Sequence, residues 1–155
     1  MAHPGVFHIL VFTGNQWKHR PAAASELVQS IDYYLQKWRS TWPSSNFSPV
    51  ESNENKESLR PQFMIHSLTS VSASEAAAAA QLLATFRNVV GEGKAYTDVG
   101  KALHRRYGVN ATAAKKDGKG AIVVVRPDSH IAYRVQGVGQ SAWEEVHGYF
   151  ESILI

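Results

Sequence analysis

The sequence predicts an α/β fold, a βαβ unit followed by a C-terminal ββα unit, which together form a four-stranded mixed sheet with flanking helices. Three observations support this prediction. Residues 6–12 form an apolar run rich in β-branched side chains, and a helical stripe of apolar residues follows it. Residues 121–135 read AIVVVRPDSHIAYRV, two β-rich runs around a bend that contains Pro127 and Asp128, as is typical of a hairpin. The last residues of the chain carry a second helical stripe.

The βαβ unit occupies the N-terminal part of the chain. Residues 6–12 predict a buried strand, and Pro21 opens a helix where the missing N–H of proline is tolerated. This helix extends to about Ser40. Its apolar residues at helical spacing are Leu27, Ile31, Tyr34, Leu35 and Trp38. Residues 63–68 alternate and predict the second strand, which should be parallel to the first because a helix connects them.

The middle of the chain alternates between polar and helical segments. Residues 43–60 are rich in Ser, Asn and Glu, and we expect a mobile loop or an insertion there. Residues 73–86 include five consecutive alanines and predict a helix. Asp98 is placed to cap a shorter helix that extends to about Tyr107 and ends at Gly108.

The ββα unit ends the chain. Residues 121–135 supply the hairpin, with Arg126 and Asp128 placed for a local ion pair at its bend, and residues 142–154 supply the last helix. Residues 94–96 suit a brief extended piece outside the four strands. Strands and helices in this order form the thioredoxin-like arrangement, with helices on the faces of the sheet. We expect one domain over residues 1–155.

Composition excludes several classes of function. The 155 residues contain no cysteine, which rules out disulfide exchange, thiolate nucleophiles and thiolate metal sites. The net charge is only +3, and the lysines and arginines suit solvated surfaces better than a nucleic-acid footprint. The apolar run at residues 6–12 is too short to cross a bilayer. We therefore expect a cytoplasmic protein that binds neither nucleic acid nor membranes.

Neither a cofactor nor a metal ion is expected. Residues 137–142 have the form G-x-G-x-x-A, but a dinucleotide site needs a further strand and an acidic residue about 20 positions on. We interpret this pattern as a tight turn that enters the last helix. The seven histidines, His8 and His66 among them, show no metal-ligand spacing along the sequence.

Several short motifs carry a family resemblance that spans almost the whole chain. Residues 7–12 read FHILVF, followed by Thr13 and Gly14. Residues 96–98 read YTD, residues 104–108 read HRRYG, and residues 123–128 read VVVRPD. In this order the motifs resemble the C-terminal thioredoxin-like domain of flavin-dependent aromatic hydroxylases of the phenol hydroxylase type.

The resemblance implies association rather than catalysis. In that family this domain serves dimerisation, holds neither the flavin nor the substrate pocket, and lacks the redox dithiol of thioredoxins. We expect a stand-alone relative or an excised piece, in either case without the FAD and hydroxylation domains, and hence no hydroxylase activity from this chain. The first hypothesis is a non-redox module that forms a homodimer or docks to a flavin-dependent hydroxylase of aromatic or polyketide metabolism.

The alternative hypothesis is a small cofactor-free enzyme, an isomerase, cyclase or dehydratase that acts on a phenolic or polyketide compound. Ligands of open α/β sheets favour the carboxyl ends of parallel strands. The first strand would deliver Asn15, Trp17 and His19 to that edge, and the second would deliver His66. His66 or His19 would act as acid–base catalyst, with Asn15 orienting the substrate and Trp17 stacking on its ring.

Overall fold

The structure is a computed structural model that describes residues 5–14, 21–42, 62–91, 94–109 and 120–154. Its strands are β1 (Val6–Gly14), β2 (Gln62–Val71), β3 (Ala95–Val99), β4 (Ala121–Val125) and β5 (Ile131–Gln136). Its helices are α1 (Pro21–Thr41), α2 (Ala76–Val90, preceded by a 3-10 turn at Ala73–Glu75), α3 (Ala102–Arg106) and α4 (Gln140–Ile153).

The strands form one mixed sheet in the order β3-β2-β1-β4-β5. As predicted, β1 and β2 are parallel, and β4 and β5 form an antiparallel hairpin beside β1. The predicted number of four strands is wrong, because β3 adds a fifth strand parallel to β2. β3 has only five residues, and its sequence AYTDV carries little apolar alternation. Its extended form depends on hydrogen bonds to β2 rather than on a local pattern.

The three long helices all pack against the same face of the sheet, which we call the helix-covered face. Buried side chains of α1, α2 and α4 form one cluster with inward residues of the strands such as Ile9, Val11 and Ile122. Trp38 of α1 and Trp143 of α4 are fully buried there. The Trp143 indole N–H donates to the carbonyl of Val138 at 3.1 Å, so this large side chain keeps its polar atom satisfied.

The opposite face, which we call the second face, has a smaller cover. Phe12, Leu68, Ala121 and Val123 form a separate buried cluster there together with Val109. Within the described parts of the chain, the segment that packs against this cluster is α3 with the residues that follow it. The two faces of the sheet are therefore unequally protected.

Most predicted boundaries lie close to the observed ones. The first helix ends at Thr41, and the last begins at Gln140, after a turn in which Gly137 adopts a φ of 91°. At the hairpin bend, Arg126 and Asp128 form the expected ion pair, 2.9 Å long and exposed to solvent. Residues 43–60 lie outside the described residues, so the mobile loop stays a prediction, as does the single domain.

Candidate functional site on the second face of the sheet

Of the four residues predicted to form the catalytic site, His66 lies in the part of the chain that the structure describes. Asn15, Trp17 and His19 lie outside the described residues, so their roles stay predictions. His66 is described, but it does not lie at the carboxyl end of its strand. β2 continues to Val71, because its last residues pair with both β1 and β3, and this leaves His66 in mid-strand.

His66 instead forms a pair with His8 of the neighbouring strand. Nδ1 of His8 lies 2.9 Å from Nε2 of His66, and the ring centres are 5.1 Å apart. This separation is close to the N···N distance plus the two ring radii, so the two nitrogens face each other along nearly one line. One neutral imidazole therefore donates its proton and the other accepts it. The ring of Tyr96 stacks against His66 at 6.0 Å.

The surroundings of His66 favour its uncharged form. Burial lowers the pKa of His66 below its usual value, and the neighbouring His8 and the ammonium of Lys94 lower it further. Both histidines are half-buried, so each still meets solvent on one side. At neutral pH the imidazole of His66 is therefore uncharged.

A second histidine, His104, lies on the same face but in a closed environment. Its Nδ1 lies 2.7 Å from a carboxylate oxygen of Asp98, and its Nε2 accepts the backbone N–H of Gly14 at 3.3 Å. The same carboxylate accepts the backbone N–H groups of Leu103 at 3.0 Å and His104 at 2.8 Å. Asp98 therefore caps the start of α3, as the sequence predicts, although it lies within β3.

These contacts make the Asp98–His104 pair structural. Burial would raise the pKa of Asp98, but the hydrogen bonds from His104 and Leu103 outweigh burial and hold the pKa below its usual value. Burial lowers the pKa of His104 more than Asp98 raises it, so the imidazole stays neutral with its proton on Nδ1. Both ring nitrogens of His104 are engaged in hydrogen bonds and its side chain is fully buried. Neither nitrogen is therefore accessible for acid–base chemistry.

The second face thus has two ends. At its closed end, the ring of Phe12 lies against His104 and Tyr107, and Arg134 donates to the carbonyl of Gly108 at 2.7 Å, which holds the covering segment on the sheet. At its open end no described helix packs on the strands. The register of the strands places there His8, Leu10, Met64, His66, Tyr96, Val125 and Ile131.

The open end is largely apolar and accessible. Tyr96 is 42% exposed and Ile131 is 57% exposed, while Leu10, Met64 and Val125 are half-buried. Its polar members are the histidine pair and the tyrosine. A contiguous apolar surface of this kind on a protein is typical of an interaction site.

Comparison with known proteins identifies the family. The family model for the phenol hydroxylase C-terminal dimerisation domain matches residues 1–155, the whole chain. The chain belongs to this family. No curated protein matches it.

Two of the motifs that carry the family resemblance, YTD and HRRYG, form the closed end of the second face. The YTD motif supplies Asp98, which caps the covering helix and binds His104 of the HRRYG motif. The HRRYG motif also supplies Tyr107, which packs on Phe12, and Gly108, whose carbonyl accepts from Arg134. The sequence alone predicted the cap but not the link between Asp98 and the imidazole. Asp98 and His104 are six residues apart, one near the end of a strand and the other in the short helix that follows, and this spacing is the sequence signal for their contact.

The contact between His8 and His66 was also not predicted from the sequence. His8 interrupts an apolar strand, and His66 lies in the strand predicted to be its parallel neighbour. A histidine in each of two neighbouring strands is the signal that could have found the pair. Its use requires the register, which pairs Leu10 with His66 and so brings the two rings within reach on one face.

A groove of about 670 Å³ lies between α1 and α4, on the other side of the molecule. Its polar groups contact one another. The ammonium of Lys37 lies 5.9 Å from the ring centre of Tyr33, and the indole of Trp38 donates to Nδ1 of His147 at 3.1 Å. Nε2 of His147 lies 3.3 Å from a carboxylate oxygen of Glu151. We assign no ligand to this groove.

Proposed function

We propose that this chain is a non-redox association domain that forms a homodimer through the open end of the second face. The observation that carries the proposal is the unequal cover of the sheet, since one face is packed under three helices while the open end keeps accessible apolar side chains. The family description names dimerisation, which favours a second copy of the chain as the occupant.

The chemistry of the open end supports self-association. A two-fold interface places the same surface on both subunits, so any net charge at its centre would face an identical charge. The centre of the open end is Leu10, Met64 and the hydrogen-bonded pair of His8 and His66. Burial lowers the pKa of His66 in this pair, which limits the repulsion. The absence of cysteine from the whole sequence supports a role without thiol chemistry.

We also propose a thioredoxin-like fold and a metabolic setting. The order β2-β1-β4-β5, with one parallel pair and one antiparallel hairpin, supports the fold, and β3 is then an added edge strand. The relationship to phenol hydroxylase supports a cytoplasmic role beside a flavin-dependent hydroxylase of aromatic or polyketide metabolism. No described helix is long and apolar enough to span a membrane.

Sedimentation velocity over a wide range of concentrations tests the homodimer. We expect the wild-type chain to pass from monomer to dimer as its concentration rises. Ile131→Glu places a carboxylate at the open end and should raise the dissociation constant by about tenfold or more, which corresponds to about 1.4 kcal/mol. Tyr33→Glu is the matched control, because Tyr33 is 58% exposed on α1, away from the second face.

Three results would contradict parts of the proposal. A wild-type chain that stays monomeric at every concentration overturns self-association. An equal effect of Ile131→Glu and Tyr33→Glu overturns the assignment of the surface. An unchanged sedimentation coefficient when the chain is titrated into a purified flavin-dependent aromatic hydroxylase of the same organism overturns docking to such an enzyme.

A further inference from the structure

The His8–His66 pair occupies the middle of the open end. His8 lies between Val125 of β4 and Met64 of β2 in the register of the sheet, and His66 lies beside Leu10. The two imidazoles share one proton across 2.9 Å. The head-on approach of their nitrogens suits this hydrogen bond, whereas two ligands of one metal ion must point their lone pairs at a common third position.

Protonation changes this pair in two unequal steps. A first added proton leaves one donor and one acceptor, so the hydrogen bond persists as a charge-assisted bond. A second added proton turns both facing nitrogens into donors, which removes the acceptor and sets two positive charges against each other. The doubly protonated pair must therefore separate.

Among the described residues, the groups that act on the pair include no carboxylate that could balance the charge. The described charged or titratable groups that face it are Lys94, ahead of β3, and Tyr96 of β3. From β4 it meets Val125, and the rest of its surroundings on β1 and β2 are Leu10 and Met64. Each added proton is thus an uncompensated positive charge on an apolar surface.

We propose that the His8–His66 pair makes self-association through the open end pH-dependent, so that two copies associate near neutral pH and separate in mild acid. This inference rests on the proposed function. In a two-fold dimer the pair of each copy lies on the shared surface, so protonation in both copies places like charges within one interface. The dimer consequently binds fewer protons than two monomers, and acid favours the monomers.

The test is sedimentation velocity on the full chain across a pH series. We expect the dissociation constant of the wild type to rise at least about tenfold between about pH 7 and pH 5, the range in which histidine titrates. In His66→Gln, whatever its dissociation constant at neutral pH, the ratio of the two constants should be clearly smaller than in the wild type, because one imidazole instead of two remains on the shared surface. Circular dichroism at each pH checks that the monomer stays folded.

His147→Gln is the matched control. His147 is also half-buried, also has a pKa lowered first by burial, and also takes part in side-chain hydrogen bonds, but it lies on α4 away from the second face. This variant should keep the wild-type ratio. A pH-independent wild-type dimer, or equal ratios in His66→Gln and the wild type, overturns the inference alone. The absence of any dimer at any pH overturns the proposed function as well.

A second measurement does not depend on the dimer. In Ile131→Glu, at a concentration at which sedimentation velocity shows a monomer, proton NMR should show the ring signals of both His8 and His66 moving in each of two separate steps, as those of coupled groups do. One common midpoint for His8 and His66 would show that they share no proton and would overturn the inference. Two steps would support it even if His66→Gln failed to fold.

Discussion

The two ends of the second face use the same strands and similar residues for different purposes. Phe12 and His8 point to the same side of β1, yet Phe12 is fully buried beneath His104 and Tyr107 while His8 remains half-exposed beside His66. A covering segment at one end turns a histidine into a structural group. Without such a cover at the other end, a histidine stays accessible to protons and to a partner.

The difference follows from how the cover is anchored. Asp98 holds the start of the covering helix, and Arg134 of β5 binds the carbonyl of Gly108 at its end. Both anchors lie at the carboxyl end of the parallel strands. The amino-terminal half of the second face has no comparable anchor among the described residues, so its apolar side chains are left for association.

The largest expected effect lies at the closed end. Phe12→Ala should lower the free energy of unfolding by about 3–5 kcal/mol, because it empties a fully buried site beneath a fixed cover. Urea denaturation in the Ile131→Glu background, at a protein concentration at which sedimentation velocity shows a monomer, measures this without a contribution from dimerisation. A loss below about 1 kcal/mol would show that the cover is not fixed on the sheet.

Removal of the cap should be nearly as severe. Asp98→Ala leaves the N–H groups of Leu103 and His104 and the buried imidazole without their acceptor, and we expect a loss of about 3 kcal/mol. Asp98→Asn retains one acceptor oxygen and should lose less in the same denaturation experiment. Equal stability of Asp98→Ala and the wild type would contradict the structural role of this carboxylate.

Acid should destabilise the monomer gradually. The folded-state pKa values of His66, His104 and His147 are lowered first by burial, so the unfolded chain binds more protons as pH falls below about 6.5. The lowered pKa of Asp98 acts in the same direction below about pH 4.

Urea midpoints of Ile131→Glu, measured from pH 7 to pH 4, check the sign, since stability should decline throughout this range. The same series on a variant that also carries His104→Gln should decline less steeply between about pH 6.5 and pH 5. A stability that rises on acidification would mean that these imidazoles are charged in the folded state.

The smallest effect is expected at the open end. His8→Ala removes a half-exposed hydrogen bond and should lower the free energy of unfolding of the Ile131→Glu monomer by less than about 1 kcal/mol. Phe12 lies four residues farther along β1 on the same side. The difference between the two losses in the free energy of unfolding therefore measures how much the covering segment stabilises the protein. A loss as large as that of Phe12→Ala would mean that His8 is buried in the core, and would contradict the description of this end of the second face as open.

Local patterns predicted much of the fold but little of the site. The hairpin, the helix from Pro21 and the final helix follow from apolar periodicity and turn residues that lie close together in the sequence. β3 was predicted only as a brief extended piece at residues 94–96 and not as a strand of the sheet, because it joins the sheet through pairing with β2. The sequence placed His66 at the end of its strand, but β2 continues to Val71, so His66 lies in mid-strand.

By itself the sequence determined the α/β class, the order of the predicted strands, the absence of thiol chemistry and, through its motifs, the family. Those properties depend on composition and on short-range spacing. Only the tertiary structure decided that three helices share one face, that Asp98 binds His104, and that His8 meets His66. The reason is physical, because helix placement and cross-strand contacts depend on which side of the sheet each connection crosses and on strand register, neither of which a local pattern contains.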